Sequence, residues 1–308
     1  MNKLLFLSWN IRGLGRLEKK AAIRKLLLKT KPKLVFLQES KLSSIDRRIS
    51  NMLCGRHSNF DFHFPPSVGS ACGIISLWDH NYFEVESYLV SVSYVALVGL
   101  IKEKNFRCLL INIYAPNDAA ERQILFCELK KLILQINLPC LLGGDFNIVL
   151  NEEERIGVSF NKRAVRIFSQ FIEDLSLVDI PLKGSYFTWS NHRGVPSFSR
   201  LDRFLLSVDF LNSWPNLLQV SFPKGISDHN PIGLTLMEEH WGPRPFKWFD
   251  YLGEDRKYTD MIKKRCTENE GKGISIVLRN CKEATKKWVA ANYKNNEESI
   301  DFLEKKAT

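Results

Sequence analysis

The sequence lacks the hallmarks of secreted, membrane-spanning and zinc-binding proteins. Its seven cysteines are odd in number and form no Cys-x-x-Cys pair, so neither a disulfide framework nor a zinc site is predicted. No run approaches the roughly 18 apolar residues that cross a bilayer. The apolar start Leu4–Leu7 is followed by Asn10 and Arg12 without a cleavage motif, which argues against a signal peptide. We therefore expect a nuclear or cytoplasmic protein that is not secreted and enters no membrane.

The chain also lacks internal repeats and low-complexity segments, and its composition is that of an ordinary globular protein. It has 308 residues, 44% hydrophobic and 25% charged, which allows a substantial core in one large domain plus an appendage. Lys and Arg outnumber Asp and Glu by 44 to 34, and most of this excess precedes residue 239. Such a balance favours polyanionic partners, although many proteins are basic for solubility alone.

Apolar runs at two spacings predict a layered α/β protein. Amphipathic helices are predicted over Glu18–Lys29, about Ala119–Gln135 and Ala164–Leu175. The candidate strands are Leu4–Trp9, Leu34–Leu37, Gly73–Leu77, Phe83–Val90, Val92–Ile101, Phe106–Ile113, Leu138–Leu142, a short strand near Val178, Tyr186–Ser190, Phe198–Leu206 and Ile232–Leu236. Several consecutive strands have no helix between them. This order favours a mixed sheet, or two packed mixed sheets flanked by helices, over a purely parallel sheet.

The composition of the sequence changes near Glu239. The stretch Trp241–Pro245 contains glycine and proline, and charged segments with scattered apolar residues follow it. We therefore predict one domain over residues 1–238. Residues 239–308 are expected to form a linker and a charged, weakly helical tail with a helix near Ile274–Ala291.

Polar residues recur where the apolar strands end. Asn10, Glu39 and Tyr114 follow three of them, and Asp145 with Asn147 follows a fourth. Each residue alone has an ordinary reading as a turn former, a solvated strand end or an edge residue. Strand ends of layered α/β proteins meet at one rim, however, where a shared pocket can form.

The second half adds Asp202 and the triplet Ser227-Asp228-His229. An aspartate among apolar neighbours in a strand is costly unless it is paired, and a histidine is a suitable partner. A lone histidine is more often structural, but a carboxylate that orients one can position an imidazole at a phosphate. Glu39 with Asp145 or Asp228 supplies the oxygen ligands that Mg²⁺ prefers.

Seven motifs in this order resemble the endonuclease/exonuclease/phosphatase superfamily, which includes DNase I and the apurinic/apyrimidinic endonucleases. They are Trp9–Gly13, Leu37–Ser40, Asn112–Pro116, Gly143–Asn147, Phe187–Trp189, Ser199–Arg203 and Ser227–His229. The motif set is most similar to the endonuclease domain of plant LINE-type (non-LTR) retrotransposon polyproteins. Gly242–Phe249 resembles the segment that follows that domain, so residues 239–308 are expected to be the start of a truncated polyprotein region. No Tyr-x-Asp-Asp segment is present, and polymerase activity is not predicted.

The resemblance implies a DNase I-like four-layer sandwich and a Mg²⁺ site, with Mn²⁺ as an alternative ion. Glu39 would be the main metal ligand, with Asn10 beside it and Asp228 nearby. Asp145 and Asn147 would handle the attacking water and a phosphate oxygen. Whether Asp145 acts as base towards water or as acid towards the leaving oxygen stays open.

The same resemblance assigns roles to four more residues. Tyr114 would bond the phosphate or stabilise the leaving group. His229, held by Asp202, would stabilise the negatively charged transition state. Thr188 would orient a neighbouring catalytic side chain.

Basic residues near these motifs could contact DNA. Arg200 and Arg203 flank Asp202, and Arg193 lies in a turn, His192–Pro196, that matches a groove-reaching hairpin of the family. A solvated surface is the ordinary alternative for such residues.

The predicted function is a Mg²⁺-dependent DNA endonuclease of retroelement origin that leaves a 3′-hydroxyl nick, acting as a monomer without a protein partner. A phosphatase of the same superfamily acting on a small phosphoester is one alternative. A non-catalytic remnant that only binds nucleic acid or protein is the other, although a competent residue stands at every motif position.

Overall fold

The structure, a computed structural model, describes residues 3–42, 46–55, 59–65, 73–157, 160–191, 196–237, 250–269 and 273–292. Contacts within the chain define two units, Met1–Glu238 and Glu239–Thr308. No helix in the described part of the chain is both long and apolar enough to span a membrane.

The first unit alternates strands and helices. In chain order these are β1 (Lys3–Asn10), α1 (Leu17–Thr30), β2 (Leu34–Gln38), α2 (Arg47–Cys54), β3 (Phe60–His63), β4 (Ile75–Asp79), β5 (Phe83–Val90), β6 (Tyr94–Ile101), β7 (Phe106–Tyr114), α3 (Ala119–Ile136), β8 (Cys140–Asp145), β9 (Arg155–Ile156), α4 (Lys162–Asp174), β10 (Leu177–Asp179), β11 (Leu182–Lys183), β12 (Trp189–Ser190), β13 (Phe198–Ser199), β14 (Asp202–Ser207), α5 (Val208–Ser213), β15 (Leu217–Ser221) and β16 (Ile232–Leu236).

Most of these strands belong to two large sheets. One has seven strands in the order β11-β15-β16-β1-β2-β4-β3, and the other has six in the order β10-β14-β8-β7-β6-β5. Each mixes orientations, because β1 and β2 are parallel, as are β7 and β8, while most other pairs are antiparallel. A small third sheet has the order β12-β13-β9.

Three apolar clusters join these elements into four layers. The first lies between the sheets and includes Phe6 and Phe36 from one and Phe204 from the other. The second packs α3 and α4 on the six-stranded sheet, with Phe126 and Phe168 as members. The third covers the seven-stranded sheet with α1 and α2. The predicted fold class, two packed mixed sheets flanked by helices, is confirmed.

Side-chain caps mark where α3 and α4 begin. The Asp118 carboxylate accepts the amide hydrogens of Ala120 and Glu121 at the start of α3. The Asn161 side chain accepts that of Ala164 at the start of α4. Both side chains satisfy amide groups that the first turn leaves without partners.

The two glycines before Asp145 let β8 pack closely on both sides. A Cβ at Gly144, which has φ +148°, would overlap the carbonyl oxygen of Ile113. A Cβ at Gly143 would lie 2.5 Å from a ring carbon of Phe204. These contacts leave no room for a side chain, so both positions require glycine.

The expected strand Phe198–Leu206 is wrong as a single element, because it breaks into β13 and β14 in different sheets. The amide of Arg200 donates to the carbonyl of Glu154, and those of Leu201 and Asp202 donate to Thr188 Oγ1. A continuous ladder is therefore impossible across this segment.

The second unit contains a 3₁₀ turn over Asp250–Glu254 and two helices, α6 (Arg256–Thr267) and α7 (Ile274–Asn292). The Tyr258 hydroxyl of α6 lies 2.8 Å from Thr285 Oγ1 of α7. Helix α7 overlaps the helix expected over Ile274–Ala291. The linker Trp241–Pro245 and the segment Gly242–Phe249 lie outside the described residues.

Candidate active site

Polar side chains lie at the strand ends of both large sheets. Tyr114 and Asp145 are neighbours in register at the ends of β7 and β8, and Asp202, at the start of β14, lies opposite Asp145. Asn10 ends β1, and Glu39 directly follows β2 in the other sheet. The two sheets thus each contribute acidic groups at one end of the sandwich.

Asn10 links the two sheets. Its Nδ2 donates to Glu39 Oε1 and to Asp145 Oδ2, both at 2.9 Å. Its Oδ1 accepts the amide hydrogen of Arg12 at 3.1 Å. The side-chain amino group of Asn10 therefore faces the carboxylates of Glu39 and Asp145 and positions both. That Asn10 is a metal ligand stays a prediction.

His229 and Asp202 form a buried pair. His229 Nδ1 lies 2.8 Å from Asp202 Oδ2, and its Nε2 lies 3.8 Å from Asp145 Oδ2. All three side chains come from residues that are 1% exposed. Thr188 Oγ1 accepts the backbone amide hydrogen of Asp202 at 3.0 Å. Thr188 thus fixes the backbone of Asp202, whose carboxylate in turn orients His229.

The site favours charged imidazole and a readily protonated carboxylate. Burial alone would lower the pKa of His229, but Asp202 and then Asp145 outweigh it, and the pKa is raised above its usual range. Burial raises the pKa of Asp145, although His229 acts in the opposite direction. An Asp145 whose pKa approaches neutrality can accept or release a proton under ordinary conditions.

Tyr114 and Asn147 border Asp145. The pKa of Tyr114 is raised first by burial and then by Glu39 and Asp145, so the phenol stays protonated and can donate to Glu39. The Asn147 amide donates to Asp145 Oδ1 at 2.9 Å, and its side-chain Nδ2 donates to the carbonyl of Ala115 at 2.6 Å. Asn147 therefore fixes both Asp145 and the loop that follows Tyr114.

Asp228 is bound by a cation. Arg12 Nε donates to Asp228 Oδ1 at 3.1 Å, and Trp189 Nε1 donates to Oδ2 at 3.0 Å. Burial would raise the pKa of Asp228, but His229 and Arg12 outweigh it and lower the pKa. In this structure both oxygens of the Asp228 carboxylate are therefore engaged by Arg12 and Trp189, and its role as a metal ligand stays a prediction. Arg12 and Trp189 lie in two of the sequence motifs, but no role was predicted for either.

The Endonuclease/Exonuclease/phosphatase family profile matches residues 7–229, a span that contains every residue of this site. The chain belongs to this family. A search of curated proteins gave no match.

Several solved structures share the fold. The AP endonuclease LMAP from Leishmania major is 18% identical, with a TM-score of 0.61 over 75% of this chain and 86% of that one. The 3′ phosphatase NExo from Neisseria, bound to product DNA hairpin, is 16% identical, with a TM-score of 0.60 over 76% and 99%. The endonuclease domain of TRAS1, a telomere-specific non-LTR retrotransposon, is 15% identical, with a TM-score of 0.58 over 76% and 98%.

The family implies a divalent cation, and the donor set fits one. Asp145, Asp202 and His229 bring possible ligand atoms within 4.8 Å of one another. Among the described residues, the buried Asp202 Oδ1 has no hydrogen-bond partner. Glu39 adds a carboxylate that shares the donor Asn10 with Asp145. Oxygen-rich sites of this kind suit hard divalent cations, and a cation would offset the excess of negative charge.

The predicted DNA contacts of Arg200 and Arg203 are wrong in this structure. Both guanidinium groups pair with Glu154 and Asp179 at distances between 2.6 and 2.9 Å. The side chain of Arg203 is 0% exposed and that of Arg200 is 12% exposed. These arginines fix the strands around Asp202 and cannot reach a phosphate. Arg193 and the rest of the turn 192–195 lie outside the described residues.

Proposed function

We propose that this family member is a Mg²⁺-dependent endonuclease that hydrolyses a DNA phosphodiester and leaves a 3′-hydroxyl nick. One observation carries the proposal: the Asp202–His229 pair lies next to Asp145, whose carboxylate shares Asn10 with Glu39. That network unites a proton-transfer group, a cationic imidazole and a second carboxylate, a combination that can catalyse phosphodiester hydrolysis.

The reaction adds water to phosphorus and breaks the P–O3′ bond. Asp145 handles a proton at Oδ2, either by accepting it from the attacking water or by returning it to the leaving 3′ oxygen. His229 places positive charge where negative charge develops on the phosphate, and Asp202 holds the ring in that orientation. Tyr114 donates a hydrogen bond from its phenol.

Glu39 is the proposed principal ligand of the metal, as the motif resemblance implies, and Asn10 Nδ2 bonds its carboxylate together with that of Asp145. A bound Mg²⁺ or Mn²⁺ would polarise the P–O bond and neutralise charge there. Glu39 reaches this position from the end of β2, where its backbone adopts a left-handed conformation with φ +52°. Asn10 and Tyr114 hold its carboxylate in place.

DNA is the proposed partner, and the chain is proposed to act as a monomer. The excess of Lys and Arg supports a polyanionic substrate. The motif resemblance to plant LINE endonucleases, together with the shared fold of the TRAS1 domain, supports a retroelement origin. A nuclear or cytoplasmic location follows from the same proposal.

A plasmid-nicking assay tests the function. Supercoiled DNA is incubated with the full chain in Mg²⁺ or in EDTA, beside a small aryl phosphate under the same conditions. The proposal expects nicked circles with ligatable 3′-hydroxyl ends only in Mg²⁺, and no turnover of the aryl phosphate. Preferred cleavage of the aryl phosphate would favour the phosphatase alternative, and DNA binding without any cleavage would favour a non-catalytic remnant.

A further inference from the structure

Arg12 lies between two carboxylates of the candidate site. Its Nε and Nη2 contact the two oxygens of Asp228, each at 3.1 Å, while its Nη1 lies 3.6 Å from Glu39 Oε1. The guanidinium therefore bridges the acids on either side of it with a fixed positive charge.

The backbone of Arg12 is anchored, which limits how far the side chain can withdraw. Its amide donates to Asn10 Oδ1 at 3.1 Å, and its carbonyl accepts from Lys19 Nζ at 2.6 Å. The residue has φ +48°, a left-handed conformation held by these two contacts. The guanidinium therefore extends from a fixed backbone position next to Asn10.

Asp228 has little remaining capacity to bind a metal. Its Oδ1 accepts from Arg12 Nε at 3.1 Å. Its Oδ2 accepts from Trp189 Nε1 at 3.0 Å and lies 3.1 Å from Arg12 Nη2. Glu39 is bound less closely by cations. Its Oε1 accepts from Asn10 Nδ2 at 2.9 Å and lies 3.6 Å from Arg12 Nη1, and Lys41 Nζ lies 3.7 Å from its Oε2.

We propose that Arg12 serves as a built-in cation that occupies the Asp228 side of the site, so that the chain binds a single divalent ion at Glu39. A second ion would have to displace Arg12, whose side chain is 41% exposed, from Asp228 and then lie beside a guanidinium charge, which opposes its binding. This inference rests on the proposed metal dependence, but it concerns how many ions bind and not whether DNA is cut.

The number of bound ions is measured without nucleic acid. The full chain is titrated with Mn²⁺, and free and bound ions are counted by electron paramagnetic resonance. We expect one bound ion per wild-type chain and two for Arg12→Met, which removes the charge but keeps an apolar stem. Lys41→Met is the matched control, since Lys41 pairs with Glu39 and not, in the described part of the chain, with Asp228; this variant should still bind one ion.

A double variant identifies the second position. Arg12→Met combined with Asp228→Asn should return to one ion, because the new ligand is removed. Two ions on the wild-type chain, one on Arg12→Met, or two on the double variant would each overturn the inference. If circular dichroism shows that Arg12→Met does not fold, the ion counts of the wild-type chain and of Asp228→Asn test the proposal instead. Each should bind one ion. Loss of the bound ion from Asp228→Asn would contradict the proposal.

The plasmid assay separates this inference from the proposed function. A chain that binds one Mn²⁺ but never nicks DNA would remove the endonuclease proposal and leave the role of Arg12 standing. A chain that binds no Mn²⁺ at millimolar concentration would overturn both.

Discussion

Replacing Arg203 with methionine removes a charge from the buried ion cluster that Arg200, Arg203, Glu154 and Asp179 form. Arg203 contacts Asp179 at 2.6 Å and Glu154 at 2.8 Å, and its side chain is 0% exposed. Breaking a buried pair by removing one partner costs about 3–5 kcal/mol. Arg200 still pairs with both acids, so we expect a loss near the lower end, about 3 kcal/mol. In a domain of this size that loss lowers Tm by roughly 6–12 °C.

Urea unfolding followed by circular dichroism measures this loss. The matched control is Arg107→Met, since Arg107 pairs with Glu86 on the surface and its side chain is 58% exposed. Exposed pairs contribute little, so the control should unfold near the wild-type midpoint. An Arg203→Met chain as stable as the control would refute the view that the cluster is structural.

Three further outcomes are expected. Asp202→Ala and His229→Ala should each slow nicking by about 100-fold or more, and the double variant should lose little beyond the worse single one, since the pair acts as a unit; additive losses would argue against the pairing. A chain ending at Glu238 should unfold cooperatively and nick DNA at a rate comparable to the full chain, and an insoluble or inert product would show that the tail is needed. Burial acts to raise the pKa of Glu154, but the charge of Arg203 outweighs burial, and the pKa is lowered. The stability that ionised Glu154 contributes is therefore fully present above its unfolded pKa of about 4.3 and is lost as pH falls through its lower folded pKa. The free energies of unfolding of wild type and Glu154→Gln should converge in acid.

Strand ends could be predicted because they depend on short-range patterns. Leu4–Trp9 and Leu34–Leu37 are apolar runs that end at polar residues, and the structure places Asn10 and Glu39 where those strands end. The short strand β15 was not predicted. Its residues, Leu217–Ser221, form a strand because β16 and β11 pair on either side, which is a tertiary effect.

The roles of charged residues were harder to predict than their positions. Arg200 and Arg203 flank Asp202 in sequence, and only the folded chain shows that Glu154 and Asp179 arrive from separate segments to bury them. Arg12 is a similar case, because its partner Asp228 is 216 residues away. Sequence spacing carries no record of such long-range ion pairs.

The most direct test of the central claim compares wild-type chain with Glu39→Gln in the plasmid-nicking assay across a Mg²⁺ titration. The substitution keeps the shape of the side chain and removes its charge, so the fold should be retained by circular dichroism. Removing even an outer partner of a metal ligand often costs 10–100-fold, so loss of the proposed ligand itself should slow nicking by about 100-fold or more. Nicking by Glu39→Gln at the wild-type rate in ordinary Mg²⁺, or wild-type nicking that persists in EDTA, would contradict a metal-dependent endonuclease centred on Glu39.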